Sequence, residues 1–307
     1  MKYCFGADVG GTTIKLGLFT VDGEILDKWE IITRTENEGE SILQDIATAL
    51  KEKIQEKAIP AEEVIGIGMG IPAPVNSEGI VRKTANLGWG YKEVKKELEN
   101  LTGWQVVVGN DANVAALGEM WKGAGHGEKN MVMVTLGTGV GGGVIMGGRP
   151  LIGANGAGGE IGHICVNYFE EKCCGCGKKG CLEQYASATG IVRLAKKQMV
   201  ETSSLAKIGN LTAKDVFDEA KAGDAYALQI VDRFARYLGV ALGNVAQIID
   251  PEAFVIGGGV ARAGSIITES IEKYYNDSVM FALRGKQFNL AELGNDAGIY
   301  GAVRMVL

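Results

Sequence analysis

Residues 8–15 read Asp8-Val9-Gly10-Gly11-Thr12-Thr13-Ile14-Lys15 and close the apolar run Tyr3 to Val9 with two glycines and two hydroxyl residues. Glycines in tandem leave backbone N–H groups clear of any Cβ, so an anion can approach them. On the residues alone two readings stand. The loop is a phosphate cradle, with Thr12 and Thr13 adding hydroxyls and Asp8 placed to hold a metal ion through water, or it is a hairpin turn with a polar rim. Both make it strand–turn–strand. The returning strand runs through Leu18-Phe19, Asp22-Gly23 signals a hairpin, and a third strand covers Ile25 to Ile32.

Working outward, Ile42, Ile46, Leu50 and Ile54 recur every four residues and predict a helix. A strand at Val64 to Met69 leads into the loop Ile71-Pro72-Ala73-Pro74, then a strand at Gln105 to Val108 and a helix at Ala112 to Trp121. The strand–glycine–strand theme then returns as Met131 to Leu136, the turn Gly137 to Gly143, and Val144 to Met146. Gly137, Gly139 and Gly142 fit G-x-G-x-x-G, but a dinucleotide fingerprint needs a helix next, and here a strand follows. A second phosphate-gripping hairpin is expected instead. Leu182 to Asp250 reads as mostly helical, with Thr212 an N-cap. A third glycine turn, Gly257-Gly258-Gly259, joins a strand to a helix around Ala263 to Tyr275; nucleotide binding and close packing both remain open for it. No G-x-x-x-x-G-K-[ST] occurs, which excludes the P-loop NTPases.

Strands alternating with helices predict an α/β fold, and 307 residues suffice for roughly two domains at ~150 each. The expected division is a small lobe over 1–115, completed by a helix at 296–307, and a larger lobe over 116–295, the two facing a cleft. Forty-six glycines argue for tight turns and close backbone approaches rather than a helical bundle. The net charge of −6, without a basic run, speaks against nucleic acid or an anionic membrane as partner. No apolar run approaches ~18 residues and no leader pattern opens the chain, so a cytoplasmic location is expected.

Four of the six cysteines, Cys173, Cys174, Cys176 and Cys181, fall within nine residues, just after His163. A secreted disulfide scaffold would spread its cysteines along a short chain. One imidazole and three thiolates from His163, Cys174, Cys176 and Cys181 make the donor set of a closed tetrahedral zinc site. Cys4, Cys165 and Cys173 are read as non-ligands. Asn110-Asp111, where a strand meets a helix, fits an N-cap or a catalytic acid.

Residues 8–15, Gly156-Ala157-Gly158-Gly159-Glu160-Ile161-Gly162-His163 and Cys174-Gly175-Cys176-Gly177-Lys178-Lys179-Gly180-Cys181-Leu182-Glu183 together resemble the ROK family of repressors, open reading frames and sugar kinases. The resemblance runs from Lys2 to the last helix and is strongest to its bacterial glucokinase branch. It implies an actin-like ATPase fold that transfers phosphate from Mg-ATP to the 6-hydroxyl of glucose. Asp111 aligns with the family's catalytic base, and Gly70, Asn86, Asn110, Glu160, His163 and Glu183 with its sugar contacts. Asp8, Gly10, Gly11, Thr12, Thr13, Gly137, Thr138, Gly139, Gly258 and Gly259 fall to the nucleotide. The same four zinc ligands match, and a homodimer or homotetramer is implied. Pro72-Ala73-Pro74 departs from the family's usual Pro-Gly in the loop beside Gly70. Other hexoses, N-acetylated or not, a polyphosphate donor, and a sugar-sensing regulator are the alternatives. The family's regulators carry an N-terminal DNA-binding domain, for which a loop beginning at residue 8 leaves no room.

Overall fold

A computed structural model describes residues 1–307. The chain starts with β1 (Tyr3–Val9), β2 (Thr13–Thr20) and β3 (Ile25–Ile32), followed by a single turn α1 (Glu36–Gly39) and α2 (Ile42–Glu56). Next come β4 (Val64–Ile71), α3 (Val94–Thr102), β5 (Val106–Asn110) and α4 (Asp111–Lys122). Strands β6 (Met131–Leu136), β7 (Val140–Met146) and β8 (Arg149–Pro150) precede α5 (Glu183–Ala186), α6 (Ala188–Lys197), α7 (Ala213–Lys221) and α8 (Ala225–Ile249). The chain ends with β9 (Ala253–Gly257), α9 (Ser265–Ser278), β10 (Gln287–Leu290) and α10 (Ala297–Val306). No helix is long and apolar enough to cross a membrane.

The α/β class is as the sequence predicts, with two five-stranded sheets ordered β3-β2-β1-β4-β5 and β10-β9-β6-β7-β8. Contacts gather the chain into two compact units. One comprises 1–127, 143–159 and 293–307, the other 128–142 and 160–292. The division follows Gly127 rather than residue 115, because 115 lies inside the continuous helix α4.

Within the first unit, β1 is central, antiparallel to β2 and parallel to β4. Its odd residues Phe5, Ala7 and Val9 join a core with Ile42, Ile46, Leu50 and Ile54 of α2, the spacing-four face read from the sequence. Its even residues face α10: Cys4 packs with Phe19, Ile299 and Val303. The period-two alternation of a strand thus serves two helical layers. Bare backbone lets α10 sit this close. A Cβ on Gly68 of β4 would lie 1.7 Å from Ala302 O, and one on Gly301 would lie 1.7 Å from Val114 O of α4.

In the second unit, Thr212 caps α7 in a reciprocal capping box with Asp215, as its sequence position suggests. The expected glycine turn 137–143 is shorter than read. Gly137 N–H closes on Gly139 O, and β7 starts at Val140, so Gly141 to Gly143 lie in the strand. Gly143 is glycine for closeness, since its Cβ would meet Ala112 O at 2.5 Å.

The contact of α10 yields a stability prediction. Gly301→Ala should lower the urea-unfolding free energy by about 1–3 kcal/mol or more, the usual cost of overpacking. An unchanged urea midpoint would contradict the close approach.

Candidate functional site

In the first unit, β1 and β2 pair from Tyr3↔Thr20 to Val9↔Ile14, which leaves Gly10 to Thr13 as the turn. Gly10 N–H donates to Thr13 O at 3.0 Å, and the Thr33 hydroxyl donates to Gly10 O at 2.7 Å. Gly11 and Thr12 at the tip are exposed. Asp8 sits opposite Lys15 in the pair register. Burial raises the Asp8 carboxyl above its ordinary range, with the Lys15 charge opposing. Asn86 comes against the same tip, since a Cβ on Gly11 would touch Asn86 Cβ at 3.3 Å.

The β5–α4 junction follows from one residue. Asn110 has extended backbone angles, ends β5, and caps α4 by accepting from the N–H groups of Ala112 and Asn113. Its Nδ2 donates to Ala73 O at 3.3 Å, which ties down the Pro72-Ala73-Pro74 loop. Asp111 is the first helical residue, partly exposed, with Oδ1 accepting from Ala112 N–H at 2.8 Å. Gly70 lies beside it, where a Cβ would be 3.6 Å from Asp111 Cα. The cap reading of this dipeptide therefore holds for Asn110, with Asp111 the first residue of the helix.

In the second unit, His163, Cys174, Cys176 and Cys181 converge, their ligand atoms all within 4.8 Å of one another. Cys174 O accepts from Gly177 N–H, and Cys174 N–H donates to Lys178 O, which folds the Cys-Gly-Cys-Gly turn. A tetrahedral ion with bonds of about 2.0–2.3 Å separates neighbouring donors by about 3.5–3.8 Å. Cys176 Sγ lies 3.6 Å from Cys181 Sγ, and Cys174 Sγ lies 3.8 Å from His163 Nδ1. The residues fit zinc in donor chemistry and in spacing. Burial pushes the Cys174 and Cys181 thiols up, reinforced at Cys174 by the carboxylate of Glu183, to which it donates. Burial also opposes the Cys176 thiolate, but the Lys178 N–H and the neighbouring thiols outweigh it and lower that group.

Two carboxylates flank the imidazole. Glu160 Oε2 lies 3.9 Å from His163 Nε2, and Glu183 Oε1 lies 3.9 Å from Nδ1. Glu183 also reaches the second glycine turn, 2.7 Å from where a Gly139 Cβ would be. That turn rests on the start of α6, where Ala188 N–H donates to Gly137 O and the Thr189 hydroxyl to Thr138 O. Gly258, at φ 85°, presses on Leu136, where a Cβ would meet Leu136 O at 2.5 Å. That contact explains why position 258 carries no side chain.

The sequence reading passed over Glu170, Tyr185 and Arg193. The Tyr185 hydroxyl donates to Glu170 Oε2 at 2.5 Å, and Arg193 donates to the same oxygen at 2.9 Å and to Gln184 O. They tie the loop ahead of the cysteines to α5 and α6. Their spacing has no period, so only the contact reveals them. Burial works against the Glu170 carboxylate, but Tyr185, the Lys172 N–H and Arg193 hold it down at about 2.

Residues 4–307 match the ROK family. A glucokinase of Halalkalibacterium halodurans is 47% identical over 98% of this chain and 93% of its own. A glucokinase of Thermotoga maritima is 38% identical over 98% and 96%. Among solved structures, a ROK family glucokinase from Streptomyces griseus in complex with glucose and AMPPNP superposes with a TM-score of 0.78 at 33% identity, over 99% of this chain and 98% of that one.

The depressed Glu170 gives a pH test. A lowered carboxyl contributes stability that is complete above its unfolded value and lost as pH falls through the folded one. Wild type should therefore exceed Glu170→Gln in urea midpoint at pH 7, and the gap should shrink as pH falls from about 4.5 towards about 2. A gap independent of pH would contradict the assignment.

Proposed function

The chain belongs to the ROK family and has its actin-like ATPase fold, and we propose that it transfers the γ-phosphoryl group of ATP to the 6-hydroxyl of glucose. The observation that carries this reading is the 47% identity with a glucokinase, spread over nearly the whole chain rather than confined to one motif.

The chemistry starts from a poor nucleophile. A sugar hydroxyl hardly ionises near neutral pH, so a carboxylate must orient it and take its proton as the bond to phosphorus forms. Asp111 is the residue we assign to that task. Asn110, capping the same helix, fixes where the carboxylate stands. The rest of the barrier falls to positioning and charge neutralisation. Backbone N–H groups of Gly10, Gly11, Gly137, Gly139, Gly258 and Gly259, with the Thr12, Thr13 and Thr138 hydroxyls, are the donors we assign to the nucleotide phosphates. Asp8 would hold Mg²⁺ through water, and the ion supplies charge neutralisation of the transferring phosphoryl group.

For the sugar, we assign Gly70, Asn86, Asn110, Glu160, His163 and Glu183. Carboxylates and amides suit a neutral polyol, because a carboxylate accepts from vicinal hydroxyls. His163, Cys174, Cys176 and Cys181 would hold a structural zinc ion, which fixes the imidazole tautomer and its orientation. With Nδ1 towards the cysteines, Nε2 of His163 is the nitrogen left for a sugar hydroxyl. We further assign a cytoplasmic location and a homodimer or homotetramer.

A coupled assay of ADP release across a sugar panel tests the substrate. Glucose should stimulate Mg-ATP consumption strongly, with glucose 6-phosphate as product, and fructose and N-acetylglucosamine should be poorer acceptors. A clear preference for an N-acetylated hexosamine would change the substrate and keep the mechanism. Tight sugar binding without ADP release would favour a regulator.

The base is tested separately. Asp111→Asn keeps the size of the side chain, and turnover should fall by about 10²–10⁴ with folding intact by circular dichroism. Near-normal turnover would remove Asp111 from the mechanism.

A further inference from the structure

The proposed function leaves Cys165 without a role. Cys165 is exposed, whereas Cys181 of the Cys₃His cluster is fully buried. The two face each other across an isolated antiparallel bridge. Its hydrogen bonds run between their neighbours, Val166 N–H to Gly180 O and Leu182 N–H to Ile164 O, both at 2.8 Å. Cys165 and Cys181 are therefore a non-hydrogen-bonded pair, the closer kind, with Cα atoms about 4.5 Å apart and side chains on one face. Disulfides span Cα separations of about 4.4–6.8 Å, a range that takes in pairs of this kind. The other two thiols outside the cluster differ: Cys4 is buried beside Phe19 in the first unit, and Cys173 lies opposite Lys179. Cys165 Sγ is held only weakly, donating to Lys179 O at 3.8 Å.

We propose that Cys165 and Cys181 are a peroxide-sensitive modification site whose reversible disulfide withdraws one thiolate from the Cys₃His cluster. The exposed thiol meets the oxidant and the buried one resolves it. The Cys165 sulfur attacks a peroxide oxygen; the S–O bond forms, the O–O bond breaks, and hydroxide leaves and is protonated to water. The Cys181 sulfur then attacks the sulfenic sulfur; the S–S bond forms, the S–O bond breaks and a second water leaves. Two thiols and one hydrogen peroxide become one disulfide and two waters. Loss of zinc on oxidation rests on the zinc reading above; the disulfide does not.

The test uses the full chain, with zinc content measured first by elemental analysis. After hydrogen peroxide treatment and alkylation, peptide mapping should find Cys165 linked to Cys181. Zinc release to a colorimetric chelator should accompany the link, and dithiothreitol with added zinc should reverse both. Cys165→Ser and Cys165→Ala should keep normal zinc content and sugar phosphorylation before oxidation, and their peroxide-driven zinc release should be about tenfold slower or less. Cys173→Ser should form the link as wild type does. A metal-free protein that still forms the link would support the site and defeat the zinc reading. Cys165 recovered as an alkylated thiol while the cluster oxidises, or zinc release from Cys165→Ser at the wild-type rate, would overturn the proposal.

Discussion

The first unit depends on backbone against backbone. Helix α10 reaches β4 at Gly68, β1 at Gly6 and α4 through Gly301, with added Cβ positions only 1.7–2.3 Å from carbonyl oxygens. At those distances no side chain separates the layers, so dispersion contacts come from main chain and from the flanking Ile299 and Val303. The same helix places Gly298 against the Asp8 carboxyl, where a Cβ would be 2.5 Å from Asp8 Cγ. The desolvation that raises Asp8 is thus a by-product of the packing that holds the sheet. Asp8 is therefore costly to the fold as a carboxylate.

The second unit is organised around a loop with little apolar material of its own. Tyr168 and Phe169 are exposed, and the segment 164–182 is held by the Cys165–Cys181 and Cys173–Lys179 bridges, the Glu170–Tyr185–Arg193 contacts and the convergence of four metal-type donors. Such a segment cannot offset its conformational entropy by burial. The bridges and the Glu170–Tyr185–Arg193 contacts make up part of that cost.

The parts of this design that were legible in the sequence are local in space and in chain. The strands Tyr3–Val9, Ile25–Ile32 and Met131–Leu136 have the bounds their apolar runs predict. The Cys₃His set was legible because three donors fall within eight residues and their spacing is itself the signal. Boundaries failed where one residue serves two elements. Strand β5 extends to Asn110 rather than Val108, because a capping asparagine keeps extended angles. Strand β7 begins among glycines that composition assigns to a turn, since Gly143 is small for the sake of α4. Long-range pairings such as Asn86 beside Gly11, or Glu170 beneath Tyr185, leave no periodic trace.

The position of α10 also bears on the order in which the protein can fold. Strand β1 ends at Val9 and its covering helix starts at Ala297. At ribosomal speeds of about 5–20 residues per second, roughly 15–60 s separate their emergence. During that interval the β1 face carrying Cys4, and the Phe19 side chain beside it, have no partner layer. The N-terminal sheet of the nascent chain therefore exposes an apolar surface until α10 emerges. Chaperone dependence should follow from this delay in closure and not from any weakness in the finished core.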